Sequence, residues 1–469
     1  MAFSLTQIDG FQPRSVPVLL LKFRHATTQR NRPETTAGNR ESAFEVRSVR
    51  APPNQSIDGD TGWAATEISE RTMEKDPIVI ASVARTPIGG FQGAFSGLTA
   101  PQLGGVAIRA AVERAGIGAD RIQELIFGCV LPAGVGQAPA RQAALNGGLP
   151  LAAGCTTVNK VCGSGMKATM LAHDLLLAGS AEVMVAGGME SMTNAPYMLP
   201  KGRAGYRLGH GQVLDHMFFD GLEDAYSAEY RGRLMGTFAE DCASDYGFTR
   251  QQQDEFAIQS LTRAQAAIED GSFGWEIEPV GLAARGGETR VQHDEQPGNA
   301  RLDKIPTLKP AFRKDGTVTP ANSSSISDGA AALVLMRRST AERLGAAPLA
   351  TIVGHTTNAD APHLFPTAPV GAMRTLLDKA GWSVGDVDLW EINEAFAVVT
   401  MAAMHDLGLA HDRVNMHGGA CALGHPIGAS GARILVTLIG ALKKTGGRRG
   451  IASLCIGGGE ATAIAVEML

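Results

Sequence analysis

Residues 158–168 read VNKVCGSGMKA, and the chain returns to a similar pattern far downstream. Residues 164–168 (SGMKA) are matched by residues 430–434 (SGARI). Two further pairs of similar segments, near positions 128 and 393 and near positions 187 and 457, occur in the same order and at almost the same separation. Ordered matches at one separation indicate a duplicated unit, whereas chance similarity between glycine-rich turns is the alternative.

Apolar runs alternate with helical patterns around the first copy. Residues 77–83 (PIVIASV) form a short apolar run typical of a buried strand, residues 102–115 have helical spacing, and residues 122–129 again resemble a strand. Strands that alternate with helices predict an α/β fold. Together with the repeat, they predict two similar α/β halves.

Composition and charge exclude several classes of protein. The chain has 469 residues, 44% hydrophobic and 19% charged, which is typical of a packed globular protein of about three domains. A net charge of -5 argues against general nucleic-acid binding, and no apolar run reaches the roughly 18 residues that span a bilayer. The 6 cysteines include no CxxC pair, so we expect neither a disulfide framework nor a metal site.

The first 76 residues differ from the rest of the chain. They contain scattered Arg, Pro, Thr, Asn and Ser without periodicity, and we predict a disordered N-terminal extension. A mitochondrial transit peptide would explain the arginines, but acidic residues such as Glu34 and Glu41 are atypical of one. A true start at Met73 is a third interpretation. The cytoplasm is the expected compartment, or the mitochondrial matrix if this segment is a transit peptide.

The remaining chain divides where its composition changes. We predict a first α/β half at residues 77–194, completed by residues 326–346, and a second half at residues 347–469. Between them, residues 195–325 are rich in charged and turn residues. We predict that this insertion carries ligand-binding loops, and a solvated surface subdomain is the alternative.

Cys162 stands directly before a helical pattern that continues to about Leu176. A cysteine at a helix start faces the positive end of the helix dipole and free backbone N–H groups, which favours the thiolate and lowers its pKa. We predict that Cys162 is a nucleophile. A buried structural cysteine is the alternative.

Three other segments place polar or sulfur groups at turns. His425 lies in a Gly-His-Pro turn before a helical pattern, where an imidazole suits general-base catalysis. Cys455 stands near the end of a strand-like run that is followed by three glycines, of which Gly457 offers an unobstructed N–H. Asn393 follows another strand-like run, and a polar group near a core needs a partner such as a bound water.

Four segments, VCGSG, NEAF, GHPIGASG and CIGGG, occur in that order and resemble the thiolases, most closely the short-chain acetyl-CoA acetyltransferases. The resemblance extends from about residue 77 to residue 469. It implies a five-layer αβαβα sandwich with a loop domain inserted in the first half. It also implies a reversible ping-pong condensation of two acetyl-CoA to acetoacetyl-CoA and free CoA, without a resident cofactor or metal.

The resemblance implies a role for each residue of the site. Cys162 is acylated, and Cys455 moves a proton to or from the α-carbon. His425 activates Cys162 and forms one oxyanion hole with a water that Asn393 holds. The backbone N–H groups of Cys162 and Gly457 form the other.

The resemblance also implies binding residues and an assembly. Met235 caps the acyl pocket, and Ser324 contacts the pantetheine of CoA. We predict Arg231 and Arg233 as phosphate partners, because the chain lacks a basic residue that relatives place near positions 297–299. Relatives form dimers or tetramers, so we expect a homo-oligomer and, more specifically, a homotetramer. Residues 137–150 are a candidate contact between the subunits.

Three alternative functions stay open. Short-chain relatives commonly have a histidine where this chain has Leu234, so a 3-ketoacyl-CoA thiolase that acts on longer chains in β-oxidation is the first. A decarboxylating ketosynthase of the same superfamily has no use for a base at Cys455. A thiolase-like scaffold has no need for all four catalytic residues.

Overall fold

The computed structural model describes residues 76–284 and 286–469. The predicted N-terminal extension lies outside the described residues, apart from its last position. Among the residues that are described, no helix combines the length and the apolar character needed to cross a membrane.

Strands and helices alternate along most of the described chain. The strands are β1 (Ile78–Arg85), β2 (Gly89–Gly90), β3 (Glu124–Gly128), β4 (Gly154–Val158), β5 (Val183–Ser191), β6 (Tyr197–Met198), β7 (Leu214–Asp215), β8 (Val280–Ala284), β9 (Gly287–Val291), β10 (Ser327–Arg337), β11 (Ala350–Ala359), β12 (Leu389–Ile392), β13 (Arg449–Ile456) and β14 (Glu460–Met468). The helices are α1 (Ala100–Arg114), α2 (Pro139–Asn146), α3 (Ser164–Leu177), α4 (Met235–Tyr246), α5 (Arg250–Glu269), α6 (Glu295–Asn299), α7 (Arg338–Leu344), α8 (Ala368–Ala380), α9 (Ala397–Leu407), α10 (Ala420–Leu423) and α11 (Ser430–Thr445).

The main sheet consists of two similar halves. Its strands follow the order β12-β13-β14-β11-β1-β10-β5-β3-β4, and β2 pairs with β10. Each half of the sheet has a parallel pair, β3·β5 or β12·β13, which is continued by antiparallel pairs that end at β1 or β11. The halves meet where β1 pairs with β11 over a short antiparallel contact. This internal symmetry confirms the predicted pair of similar α/β halves.

Three apolar cores separate the layers. Helices α3 and α11 lie between the two halves of the sheet, and the buried side chains there include Met166, Ile434 and Leu438. Helices α1 and α2 cover the outer face of the first half, and α8 and α9 cover the outer face of the second. Every residue of α11 from Ser430 to Leu442 is buried, as expected of a helix that is enclosed on all sides. The order of layers is helix, sheet, helix, sheet, helix.

The two central helices touch backbone to backbone at their first turns. A Cβ atom on Gly165 of α3 would lie 2.9 Å from a backbone nitrogen of α11, and one on Gly431 of α11 would overlap the backbone of α3. Only glycine permits such an approach. Because both helices start here, the residues just before them, Cys162 and His425, are brought to the same end of the central layer.

The inserted region packs against the second half of the chain. Phe238 of α4 shares an apolar cluster with Val399 of α9, and Leu261 of α5 shares another with Leu423 of α10. This packing places the start of α4 beside the end of β13. The insertion therefore contributes to the site at this end of the molecule.

A buried ion pair ties the first strand to the inserted region. Arg85, the last residue of β1, is fully buried and forms salt bridges with Asp294 at 2.7 Å and Glu276 at 2.5 Å. Since Asp294 also accepts the N–H of Ile88 at 2.8 Å, the segment after α5 is held in place by charge-assisted hydrogen bonds.

Candidate active site

A cavity of about 200 Å³ opens where α3 and α11 begin. It brings together six of the nine residues that the sequence predicts for the site: Cys162, His425, Cys455, Gly457, Met235 and Ser324. Asn393 is fully buried behind the cavity wall, and Arg231 and Arg233 do not line it.

Cys162 is presented by a strained turn. Val161 has a φ of 46°, which is unusual for a β-branched side chain. The side chain of Asn159 accepts the Val161 N–H at 2.9 Å, and the hydroxyl of Ser164 accepts the Lys160 N–H at 2.8 Å and donates to the Val161 carbonyl at 2.6 Å. These bonds hold the conformation that points the sulfur into the cavity.

The Cys162 sulfur is a thiol rather than a thiolate in the free protein. Burial raises its pKa to about 11, although the backbone N–H groups of Gly457 and of Cys162 itself favour the charged form. The prediction that the helix start lowers this pKa was therefore wrong in direction. Loss of water around the sulfur outweighs the helix dipole and two N–H groups.

His425 is held by hydrogen bonds at one edge of its ring. Its Nδ1 lies 2.6 Å from the hydroxyl of Ser430, which also lies 2.9 Å from the carbonyl of Pro426. Its Nε2 is buried and has no hydrogen-bond partner among the described residues. Burial lowers the pKa of this imidazole to about 3, helped by the nearby guanidinium of Arg433. The ring is neutral at physiological pH and has Nε2 available to the cavity.

Cys455 lies one residue before the end of β13 and is buried. Burial raises the pKa of its thiol well above the usual range, and the neighbouring Cys162 adds to this shift. The two sulfurs therefore lie within electrostatic range of each other on one cavity wall, and both are protonated in the free protein.

Asn393 is oriented by a buried ion pair. Its Oδ1 lies 3.5 Å from a guanidinium nitrogen of Arg433, which also forms a 3.2 Å salt bridge with Glu391. Its Nδ2 has no hydrogen-bond partner in the described part of the chain. The amide N–H₂ is thus free to bind a water, as the sequence predicts. Arg433 was missed because an arginine inside a helical pattern is usually exposed.

A second buried carboxylate, that of Glu190, connects two loops that border the cavity. Glu190, near the end of β5, accepts the N–H groups of Val130 at 2.9 Å, Leu131 at 3.1 Å and Gly428 at 2.9 Å. Burial raises its pKa to about 7. Glu190 links the loop after β3 to the loop of His425. Its signal in the sequence was an acidic residue at the end of an otherwise apolar strand.

The rest of the cavity is apolar. Its wall includes Met192, Phe218, Leu222, Leu234, Phe312, Phe365 and Phe396. Met235 begins α4, and its sulfur would lie 3.5 Å from a Cβ on Gly457. The hydroxyl of Ser324 donates to the carbonyl of Ala395 at 2.9 Å, so this serine is fixed at the wall.

The two arginines predicted as phosphate partners lie in different surroundings. Arg233 forms a 2.7 Å salt bridge with Asp241 and stacks 4.4 Å from the ring of Phe238. Arg231 is exposed, and its side chain lies 3.5 Å from the carbonyl of Ala225. Arg233 is occupied within the protein, and the phosphate role predicted for it has no geometric support.

Two other basic side chains line an adjacent groove. It shares Ser325 with the cavity and is lined by the exposed Arg301 and Lys304. Sequence reasoning did not single out these two residues, because nothing in their local pattern distinguishes them from a solvated surface.

Known proteins match most of the described chain. The thiolase N-terminal domain model matches residues 78–339, and the thiolase C-terminal domain model matches residues 346–468. Acetyl-CoA acetyltransferase 1 of Arabidopsis thaliana is 47% identical over 86% of this chain and 97% of its own length. The mitochondrial acetyl-CoA acetyltransferase A of Xenopus laevis is 50% identical over 86% of this chain and 94% of its own length. The crystal structure of the Bacillus anthracis acetyl-CoA acetyltransferase superposes with a TM-score of 0.81 at 41% identity, covering 84% of this chain and 99% of that one.

The raised pKa of Cys162 can be tested by alkylation of the free protein. Iodoacetamide reacts with thiolates. With a pKa of about 11, the thiolate fraction of Cys162 rises about tenfold for each pH unit from pH 7 to 9. We expect the rate of carbamidomethylation at this peptide, measured by mass spectrometry, to rise in that proportion without levelling off. Cys162→Ala protein verifies the peptide assignment, and a rate that is constant above pH 7 would contradict the prediction.

Proposed function

The chain belongs to the thiolase family, and we propose that it is an acetyl-CoA C-acetyltransferase that joins two acetyl-CoA to acetoacetyl-CoA and free CoA, or reverses this reaction. The observation that carries the proposal is the single cavity in which Cys162, His425 and Cys455 meet. Relatives between 47% and 50% identical that are named for this activity support it over the longer-chain alternative.

The first half-reaction transfers an acetyl group to Cys162. Nε2 of His425 takes the thiol proton as the sulfur attacks the thioester carbonyl. The oxyanion that forms accepts hydrogen bonds from the N–H groups of Cys162 and Gly457, which already face the sulfur. When the intermediate collapses, the CoA thiolate leaves with the proton from His425. Because thiol and imidazole are both neutral beforehand, proton transfer and attack belong to one step.

The second half-reaction moves a proton at carbon. In thiolysis Cys455 acts as a general acid, for which the neutral thiol is the required form. It protonates the carbanion that is released when the carbon–carbon bond of acetoacetyl-CoA breaks. In synthesis this sulfur must first give its proton to Nε2 of His425, which has lost its own proton to the departing CoA and which later returns this proton to the released Cys162 sulfur. The raised pKa of Cys455 then makes its thiolate a stronger base and a closer match to a carbon acid. The enolate of the second acetyl-CoA attacks the acetyl-Cys162 carbonyl and releases Cys162.

Ser430 allows His425 to serve both half-reactions. A hydroxyl can donate to the Pro426 carbonyl while it accepts Nδ1–H, which leaves a lone pair on Nε2. It can instead donate to Nδ1, which places the ring proton on Nε2. The second tautomer provides an N–H for the enolate oxygen, beside a water on Nδ2 of Asn393. Preorganised donors of this kind each lower a barrier by about 3–4 kcal/mol.

The proposed path of CoA runs from the sulfurs to the adjacent groove. The pantetheine would pass the apolar wall near Phe312 and Ser324, as the resemblance implies for Ser324. Arg301 and Lys304 of the groove are exposed, and each pairs with the equally exposed Asp303, at 3.3 Å and 3.7 Å. Because such surface pairs are weak, these two cations are suited to exchange Asp303 for the phosphates of CoA. They are proposed beside the predicted pairing with Arg231 and Arg233, of which the exposed Arg231 stays a candidate phosphate partner. Both thioesters are substrates, so the proposed reaction uses no resident cofactor.

Self-association and location are further elements of the proposal. Among the strands of the described residues, β4 is at the edge of the sheet and pairs only with β3. Leu145 and Leu151, at 43% and 80% exposure, stand beside it. An uncovered edge flanked by exposed leucines supports pairing with a second copy, close to the predicted contact at residues 137–150. The cytoplasm stays the proposed compartment, with the mitochondrial matrix as the alternative, since two relatives from Xenopus laevis are named as mitochondrial.

The division of labour between the two sulfurs can be measured separately. Cys455→Ala should still form acetyl-Cys162, detected by mass spectrometry of quenched enzyme, because the first half-reaction does not use Cys455. It should slow deuterium exchange at the methyl group of acetyl-CoA by at least about 10²-fold, since the general base is lost. Cys162→Ala should form no acyl-enzyme.

Cys242→Ala is the matched control for this pair of variants. Cys242 is a buried cysteine of the same apolar cluster as Cys455, but it does not line the cavity. Its removal should leave acylation and exchange unchanged. Exchange at the normal rate in Cys455→Ala would show that another group is the base.

Acyl-chain preference tests the proposed function itself. Thiolysis by free CoA, measured over 3-oxoacyl-CoA substrates of four to ten carbons, should have its highest kcat/KM with acetoacetyl-CoA. A misfitting methylene costs about 1–3 kcal/mol, so we expect at least about a tenfold loss at six carbons. Met235→Ala should reduce this loss, because Met235 lines the cavity beside Gly457.

Met468→Ala provides the control, since this methionine ends β14 and lies outside the cavity. It should keep the chain-length profile of the unsubstituted protein. A kcat/KM that is equal or greater at six to ten carbons would favour the 3-ketoacyl-CoA thiolase alternative.

A further inference from the structure

Three metal-ligand side chains converge outside the cavity, at the other end of α3. His173 and Asp174 belong to the last turns of this helix, and His355 projects from β11 of the second half. His173 is nine positions after Ser164, which corresponds to about 14 Å along an α-helix. None of the three lines the cavity.

The three potential ligand atoms form a nearly equilateral triangle. Nδ1 of His173 lies 3.1 Å from Oδ1 of Asp174 and 3.2 Å from Nε2 of His355, and Nε2 of His355 lies 2.9 Å from the same Oδ1. Ligands about 2.0–2.1 Å from a tetrahedral zinc ion are separated by about 3.3–3.4 Å. The triangle is therefore close to one face of such a tetrahedron and would need to expand only slightly.

No arrangement of protons on the two imidazoles gives a hydrogen-bond donor facing an acceptor along all three sides of this triangle. A neutral imidazole carries one N–H, and a carboxylate carries none. If both ring nitrogens are protonated towards Asp174, two donors face each other across the edge between the histidines. If one nitrogen is unprotonated, its lone pair faces the oxygen of Asp174. A metal cation that binds one lone pair from each of the three atoms removes this conflict, because all three then act as ligands.

The surroundings favour a transition metal over a hard cation. Burial lowers the pKa of both His173 and His355, against the opposing effect of Asp174, so both rings are neutral ligands at pH 7. Lys379 is the cation nearby, and its ammonium group donates to the His355 carbonyl at 3.2 Å. A ligand set with two imidazoles suits Zn²⁺, whereas Mg²⁺ and Ca²⁺ prefer oxygen. Asp174 is 52% exposed at its side chain, so water can reach a fourth position.

We propose that His173, Asp174 and His355 bind one divalent transition-metal ion of the zinc type, with water as the fourth ligand. Such an ion would join α3, the helix that follows Cys162, to the strand β11 of the second half. Its role is structural and separate from the acyl transfer. The expectation of no metal site was based on the spacing of the cysteines, and cysteine spacing says nothing about a site whose ligands are histidine and aspartate.

Zinc retention by the full-length protein tests the proposal. Protein stripped with EDTA, loaded with ZnCl₂ and dialysed should retain one more equivalent of zinc than His355→Gln protein treated identically. Taking the difference cancels zinc held by thiols, which both proteins contain. His405→Gln is the matched control, because His405 forms a 2.9 Å pair with Asp406 that lacks a second imidazole. This control should retain as much zinc as the unsubstituted protein.

Two further measurements keep the test decisive. Zinc should raise the Tm of the unsubstituted protein and of His405→Gln but not of His355→Gln, because an ion that binds only the folded state stabilises it. If His355→Gln fails to fold, Asp174→Asn replaces it, because Asp174 is half exposed and asparagine has nearly the same shape as aspartate. Crystals soaked in zinc should show an anomalous peak about 2.0–2.1 Å from Nδ1 of His173 and Nε2 of His355.

Equal zinc retention by the unsubstituted protein and both ligand variants would overturn the proposal. So would an anomalous peak confined to the thiols, or binding at crystal concentration only. Thiolysis of acetoacetyl-CoA by the zinc-stripped protein is expected to persist. Failure of the metal site and failure of the proposed acyl transfer are thus separate outcomes.

Discussion

The close contact between the first turns of α3 and α11 is the constraint on which the rest of the structure depends. Besides the glycines of the helices themselves, Gly128 belongs to this contact, because a Cβ there would lie 2.7 Å from the carbonyl oxygen of Gly428. Side chains at these positions would separate the two halves. The separation would move the Cys162 turn away from the His425 loop, so the duplicated fold and the shared cavity have one physical origin.

Burial determines the chemical state of the site more than any single charge does. It keeps the thiol of Cys162 and the imidazole of His425 neutral, with pKa values of about 11 and about 3. A preformed thiolate–imidazolium pair is therefore disfavoured, and charge develops only as the reaction proceeds. In such a dry site, fixed donors such as the Gly457 N–H act strongly on the developing oxyanion.

The sequence predicted those features whose cause is local. The strand at residues 77–83 and the helix after Cys162 were confirmed as Ile78–Arg85 and Ser164–Leu177, since apolar periodicity and glycine turns specify them. The residues that line the cavity lie at ends of elements, where motifs are visible. Arg433 and Glu190 were missed, and the pKa of Cys162 was wrong in direction, because burial is a tertiary property. The pairing of His173 with His355, 182 positions apart, leaves no local pattern.

The central claim is that the two sulfurs and the imidazole meet in one cavity and that Cys162 receives the acyl group. A crystal structure of protein soaked with acetyl-CoA and rapidly cooled tests it most directly. The account predicts a thioester on Sγ of Cys162, with its carbonyl oxygen about 2.7–3.1 Å from the Gly457 nitrogen and its methyl group facing Cys455. An acetyl group on Cys455, or one on Cys162 that points away from both Gly457 and Cys455, would contradict it.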